Sequence, residues 1–252
     1  MPAFELYDGA VSLNFDEAKH AYRVNGKWIP SVTTALGTIA KPALVPWAAK
    51  MAAELVANEL KPGVALDEVA IRELAERAKN AHRDRARQAA GIGTDVHTWA
   101  ERFARGENPP MPINPQIRSG VDAFISWTKQ HDFRPVYLER KVFSRRHEYA
   151  GTVDAVAYID GVAAVADWKT SSGIWDEYRL QLAAYQQALS EEGVIDEDTD
   201  RWIVRFDKES GEFEAVKLPR DTYERDARGF RAALALYRVL NDMKFASRQR
   251  AA

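Results

Sequence analysis

Two carboxylates and an amine, those of Asp154, Asp167 and Lys169, stand close together in the sequence. They lie in GTVDAVAYIDGVAAVADWKTS, Gly151 to Ser171, a stretch otherwise dominated by Val and Ala. Asp160-Gly161 in its middle is a two-residue hairpin signal, because a type I′ turn needs positive φ at both central positions. With that turn Ile159 faces Val162, and the same antiparallel register brings Asp154 opposite Asp167. Facing Cβ atoms lie about 4.5–5.5 Å apart, a separation at which like charges destabilise a sheet. Lys169, two positions past Asp167, shares its face because strand side chains alternate. A three-residue loop would slip this register by about one residue.

Two carboxylates at a buried hairpin end need a reason, since desolvation and mutual repulsion would otherwise push a proton onto one of them. A divalent cation supplies it: Mg²⁺ or Mn²⁺ binds through one or two carboxylates, waters and substrate phosphate oxygens. A neighbouring lysine can orient a water or neutralise charge developing on a phosphate. Against this stands a plainer alternative, a solvated hairpin end with a structural Asp–Lys pair. Asp-x-Lys alone does not decide between them.

The elements that must position these residues form two halves. HAYRVNGKWI, with Asn25-Gly26 between alternating residues, predicts a small N-terminal hairpin. PSVTTAL starts a short helix with Ser31 as N-cap. Helical patterns follow at 45–60, 66–89, 95–105 and 115–130, separated by Pro- and Gly-bearing joints. ENPPMPINP, 107–115, is the expected hinge, dividing a mainly helical part (1–110) from an α/β core (111–252) within one compact unit. In that core, strands are predicted at 135–143, 152–159 and 162–169, then a helix at 175–190. Strands at 201–207 and 212–218 and a long helix at 221–243 complete it. The central hairpin is apolar on both faces, with Val156, Tyr158 and Val165 on one and Val153, Ile159 and Val162 on the other. Strands of that kind are covered by helices on both sides. The helix at 175–190 serves as a crossover between parallel strands, giving a three-layer α/β core of order αβββαβ.

Composition narrows the chemistry. The 252 residues are 46% hydrophobic and 29% charged, ordinary for a globular protein. No apolar run approaches the roughly 18 residues of a membrane span, and MPAFELYDGAV lacks the charge-then-apolar order of a secretory signal. The expectation is a cytoplasmic protein with no membrane partner. Cysteine is absent, which removes disulfides, thiolate zinc and iron–sulfur clusters, so any metal is held by oxygen and imidazole. The net charge of −2 conceals an acidic run, EEGVIDEDTD at 191–200, against basic runs HRDRAR (82–87), ERKVFSRRH (139–147) and the terminal KFASRQR. Each basic run alone reads most simply as solvated surface.

GTVDAVA, VADWKTS, YRLQLAAYQQAL and, upstream, GIGTDVHTWAE resemble the PD-(D/E)XK nuclease superfamily, in its RecB-like and phage exonuclease branch. PSVTTAL followed by KPALVPW is similar to the N-terminal part of exonucleases of this group. The pieces come in the family's order. The resemblance implies that Asp154 and Asp167 bind the metal, with the Trp168 backbone carbonyl, and that Lys169 positions or activates the attacking water. It makes Gln181 and Tyr185 a Gln-x-x-x-Tyr element, whose i, i+4 spacing puts both on one helix face. It makes His97 a further metal ligand. Glu101, one turn on, either orients the imidazole from behind or is helix surface. Glu139 is an acid near the metal or a surface charge. Ser31, Thr33 and Thr170 are candidate phosphate contacts, although hydroxyls near turns usually cap backbone groups. Trp28, Trp47 and Trp99 are available for base stacking, but tryptophans are more often core and none is assigned to it.

The function so implied is a Mg²⁺/Mn²⁺-dependent DNA exonuclease leaving a 5′-phosphate, without the iron–sulfur cluster of some relatives. Its expected setting is a phage-infected bacterial cytoplasm, with DNA and a phage single-strand annealing or recombination protein as partners. A catalytically silent DNA-binding or assembly module on the same fold, and a repair-type endonuclease, stay open as alternatives.

Overall fold

In the computed structural model, which describes residues 2–196 and 198–251, the chain opens with an antiparallel meander. Its strands are β1 (Ala3–Leu6), β2 (Val11–Asp16), β3 (Ala21–Val24) and β4 (Lys27–Ile29). The predicted Asn25-Gly26 hairpin is its second half; both residues have positive φ. The first half escaped prediction, so the N-terminal part is a four-stranded sheet before it is helical. Glu197 of the acidic run and the side chains of Arg248 and Arg250 lie outside the described residues.

Helices α1 (Val32–Leu36), α2 (Leu44–Glu59), α3 (Glu68–Ala104) and α4 (Pro115–Gln130) follow. Helix α3 runs through Gly91 and Gly93, where a joint between two helices was expected. A glycine costs a helix only about 1 kcal/mol relative to alanine, and a long helix absorbs that. Asn114 caps α4 by accepting from the backbone N–H groups of Gln116 and Ile117.

A five-stranded sheet holds β5 (Phe133–Ser144), β6 (Tyr149–Ile159), β7 (Val162–Lys169), β8 (Asp200–Phe206) and β9 (Phe213–Leu218), in that spatial order. Within this sheet β7 and β8 pair in parallel while its other neighbours are antiparallel, and α5 (Asp176–Glu191) makes the crossover that parallel pairing requires. The last helix is α6 (Tyr223–Ala251). One face of the sheet packs under α1, α5 and α6, through Val142, Val156, Val165, Leu182 and Phe230. The other packs against α4 and the last turns of α3, through Val96, Phe124, Trp127, Trp168 and Phe206. This is the expected αβββαβ three-layer core.

The β6–β7 hairpin forms as its turn dictates. Asp160 and Gly161 have φ of 52° and 81°, and the ladder runs from Ile159↔Val162 to Ala155↔Ala166. One expectation about its faces fails. Val153 packs with Val156 and Val165, while Ala155, Ala157 and Ile159 turn to the opposite core. The alternation inverts at Asp154. It inverts on β5 as well, where Val142 and Leu138 go to opposite cores, and Glu139 between them has φ of 52°. Leu138 pairs Ala155 and Arg140 pairs Val153, so Glu139 and Asp154 are the pair at which both strands turn over. The hairpin tip is also less buried than its composition suggests, with Tyr158 49% exposed.

By compactness the chain divides into Met1–Ile39 with Val96–Ala252, and Ala40–Asp95, rather than at residue 110. The N-terminal sheet stays with the core because Phe143 and Ala150 sit in its hydrophobic cluster, and because Ala150 donates its backbone N–H to the Pro30 carbonyl. The proline-rich 107–115 segment lies inside the larger unit, where the Trp99 indole donates to the Pro110 carbonyl at 3.0 Å. The smaller unit holds α2 and the first part of α3, joined by an Arg77–Glu59 ion pair and a Trp47–His82 edge contact. HRDRAR lies there on α3, with Arg83 through Arg87 exposed. Among the described residues, no helix is long and apolar enough to cross a membrane.

Candidate active site

The inversion at Glu139 and Asp154 is where side chains converge. One donor atom each from His97, Glu139 and Asp154 lies within 4.8 Å of the others, a grouping able to hold a metal ion. His97 reaches it from the last turns of α3, with Nδ1 3.7 Å from Asp154 Oδ1, and its ring meets Trp168 edge-on. Glu139 adopts a left-handed backbone, which a non-glycine residue holds at a cost of order 1 kcal/mol or more and which clusters at functional sites. The Asp154 carboxylate accepts the Trp168 backbone N–H at 2.6 Å. Asp154 is thereby tied to the strand that carries Asp167.

Asp167 and Lys169 share one face of β7, as the alternation requires, while Trp168 is buried on the other. Lys169 Nζ lies 2.5 Å from Asp167 Oδ2 and donates to Gln181 Oε1 at 3.2 Å. The first contact is an ion pair without hydrogen-bond alignment, so buried Asp167 Oδ2 has no hydrogen-bond partner among the described residues. Gln181 Nε2 donates to Asp167 Oδ1 and to the Tyr185 hydroxyl, both at 3.0 Å. One amide thus links acid, lysine and phenol, and the i, i+4 spacing on α5 is used for that linkage.

Electrostatics divide the carboxyls. Burial pushes Asp167 up to about 6 and the charge on Asp154 adds to the rise, although Lys169 opposes it. Burial and the same Asp154 charge push Glu139 up to about 7. Burial would raise Asp154 too, but His97, Lys169 and the Trp168 N–H outweigh it and hold Asp154 below the ordinary carboxylate range. Burial acts to lower His97 and Lys169, yet the neighbouring aspartates raise both. One imidazole and the carboxylates of Glu139 and Asp154 form a donor set able to hold a hard divalent cation, while the two oxygens of Asp167 are engaged by Gln181 and by the Lys169 ammonium.

The remaining predicted residues fall as follows. Glu101 is held by Arg105 through Nη2 at 2.5 Å rather than by the imidazole. Ser31 is buried and caps α1 by accepting from the Thr34 N–H at 3.0 Å. Thr33 is exposed and Thr170 half-buried. Trp99 is core, and Trp28 lies on the N-terminal hairpin under the Arg23 guanidinium, 3.8 Å from ring centre to Cζ. Sequence reasoning missed Lys141, whose ammonium lies 3.9 Å from Glu139 Oε2 and whose pKa is lowered by burial. It also missed that Gly151 makes room for Tyr185. The signal for Lys141 was present: Glu139 and Lys141 sit two apart on one strand.

A family model for the PD-(D/E)XK nucleases matches residues 116–250, more than half of the chain. The chain belongs to the PD-(D/E)XK nuclease superfamily. No curated protein matches it. The matched segment contains Glu139, Asp154, Asp167, Lys169, Gln181 and Tyr185; His97 and the N-terminal sheet lie before it. Superfamily membership makes the general chemistry that of a nuclease using a divalent metal.

Proposed function

We propose that this nuclease is a Mg²⁺- or Mn²⁺-dependent DNA exonuclease. The observation that carries the chemistry is the convergence of one donor atom each from His97, Glu139 and Asp154 within 4.8 Å. Asp154, Asp167, His97, Glu139 and the Trp168 carbonyl would hold the cation. When bound, such an ion polarises the scissile phosphate and acidifies a water enough to attack it. Lys169, fixed by Asp167 and Gln181, presents its ammonium to the attacking water or to the charge that builds on phosphate. Gln181 keeps that ammonium in place, and Tyr185, whose hydroxyl burial holds well above its ordinary pKa, stays neutral as its partner. In-line attack of that water would break the bond from phosphorus to the 3′-oxygen, leaving a 3′-hydroxyl and, as the family resemblance implies, a 5′-phosphate. The exonuclease reading is supported by the likeness of PSVTTAL and GIGTDVH to phage exonucleases.

Purified protein is incubated with end-labelled linear DNA and with closed circular single- and double-stranded DNA, in Mn²⁺, in Mg²⁺ and in chelator. The expected result is metal-dependent release of nucleotides from linear DNA and sparing of circles. Rapid linearisation of circles would make it an endonuclease, and no cleavage of any DNA would leave a binding module.

A further inference from the structure

Lys141 occupies an unusual position for a lysine. Its side chain is 10% exposed, and among the described residues its ion-pair partner is Glu139 alone. Burying an ammonium is costly unless a partner compensates it. Here the compensation has two parts. Nζ donates to the Glu139 backbone carbonyl at 3.3 Å and lies 3.9 Å from its carboxylate. The same nitrogen sits over the rings of Phe15 and Phe4, at 4.8 and 5.7 Å from their centres, an attraction between cation and aromatic face. Both rings belong to the N-terminal sheet, on β2 and β1, outside the segment that matches the family.

Glu139 is the residue with most need of such support, because its left-handed backbone persists only if its surroundings over-determine it. A lysine gripping both the carbonyl and the carboxylate of that residue fixes the peptide and the side chain together. We propose that Lys141 is a positioning residue that aims Glu139 at the cation site, and that Phe15 and Phe4 are the wall that holds it there. The N-terminal sheet is then part of the catalytic apparatus. This rests on the reading that Glu139 helps to hold the cation.

The sign of one measurement separates positioning from simple charge. A nearby ammonium repels a divalent cation, so removing it should tighten binding if proximity is all that matters. Losing an aimed carboxylate should weaken it. Mn²⁺ binding is read by electron paramagnetic resonance of free Mn²⁺ and by metal-induced thermal shift, on the full chain. Lys141→Met keeps the stem and drops the charge; its Mn²⁺ dissociation constant is expected to rise at least fivefold, with cleavage recovered at saturating Mn²⁺. Lys141→Arg should recover most of the affinity. In a Glu139→Gln background, Lys141→Met should have no further effect, as a coupled pair requires. Should Lys141→Met fail to fold, Phe15→Leu leaves the charge, removes the wall and should weaken Mn²⁺ in the same direction. Unchanged or tighter Mn²⁺ binding in the variant that folds overturns the proposal. A wild type that binds no Mn²⁺ fells the cation reading itself, and a wild type that binds while Glu139→Gln binds equally well fells only the role of Glu139 and Lys141.

Discussion

Gly151 lies directly against the ring of Tyr185: a methyl group there would sit 2.6 Å from Cε1 of the tyrosine. The glycine is a matter of space, since it is buried on β6 and lacks the positive φ that would demand glycine for its backbone. Tyr185 in turn accepts from Gln181, which orients Lys169. Gly151→Ala should therefore cost about 1–3 kcal/mol by overpacking and slow cleavage as well. Thermal denaturation and a cleavage assay check both, and a variant with wild-type melting and rate would show that the ring yields without consequence.

Lys169→Met should lower the cleavage rate more than about 100-fold, near 2.7 kcal/mol of barrier. Methionine suits the test better than alanine because Lys169 is mostly buried, between Asp167, Gln181 and the ring of Tyr178. DNA affinity by fluorescence anisotropy should stay close to wild type. Retention of a tenth of the rate or more would remove Lys169 from the chemistry.

Asp167→Asn should melt at the same temperature as wild type or higher, in chelator near neutral pH. The carboxyl is raised from an ordinary 3.8 to about 6 in the folded protein, so its ionised form is disfavoured there. A group raised in this way lowers stability once pH exceeds the folded value, and the penalty fades as pH falls toward 3.8. The difference between the proteins should close in that window. Millimolar Mn²⁺ should then stabilise wild type by mass action and the variant much less. A wild type indifferent to Mn²⁺, with a variant clearly less stable in chelator, would make Asp167 a structural partner.

Asp207, between β8 and β9, should act in the opposite sense. Its pairing with Arg205 and the backbone N–H groups of Ser210 and Glu209 hold it down at about 2. A depressed carboxyl stabilises the fold above its unfolded value and loses that contribution as pH falls through the folded one. Asp207→Asn should destabilise at neutral pH, by no more than about 1 kcal/mol because solvent screens the pair. The deficit should shrink between pH 4 and 2, as followed by denaturant melts. An equal deficit at both ends would assign the effect to geometry rather than to charge.

The hairpin and its lysine were legible because Asp160-Gly161 fixes a register by local backbone chemistry, and the ladder follows it residue by residue. Helices α4 and α5 were legible through their spacing, and α4 also through its Asn114-Pro115 start. Strands β1 and β2 were missed although VSLNFD alternates strictly; what was not local is the packing on Phe143 and Ala150, far along the chain, that holds them. The facing of Val153 was misread because strict alternation was applied across Asp154, where a left-handed glutamate on the next strand inverts it. That glutamate gave no local warning. The pairing of Lys141 with Glu139 could have been read from their spacing, but its aromatic wall could not, as it comes from residues more than a hundred positions earlier.

The parallel pairing of β7 with β8 has a consequence for synthesis. Asp167 and Lys169 are made before the crossover helix that carries Gln181 and Tyr185, and before β8 reaches Phe206. At ~5–20 residues per second, the interval from Lys169 to Phe206 lasts roughly 2–8 s. Gln181 follows Lys169 by only 12 residues, but until β8 is made Lys169 lacks the neighbour that makes its strand internal. Non-local parallel pairing is also slow to form. The hold of Gln181 on Lys169 therefore waits on the crossover helix, however early the lysine's own strand is made.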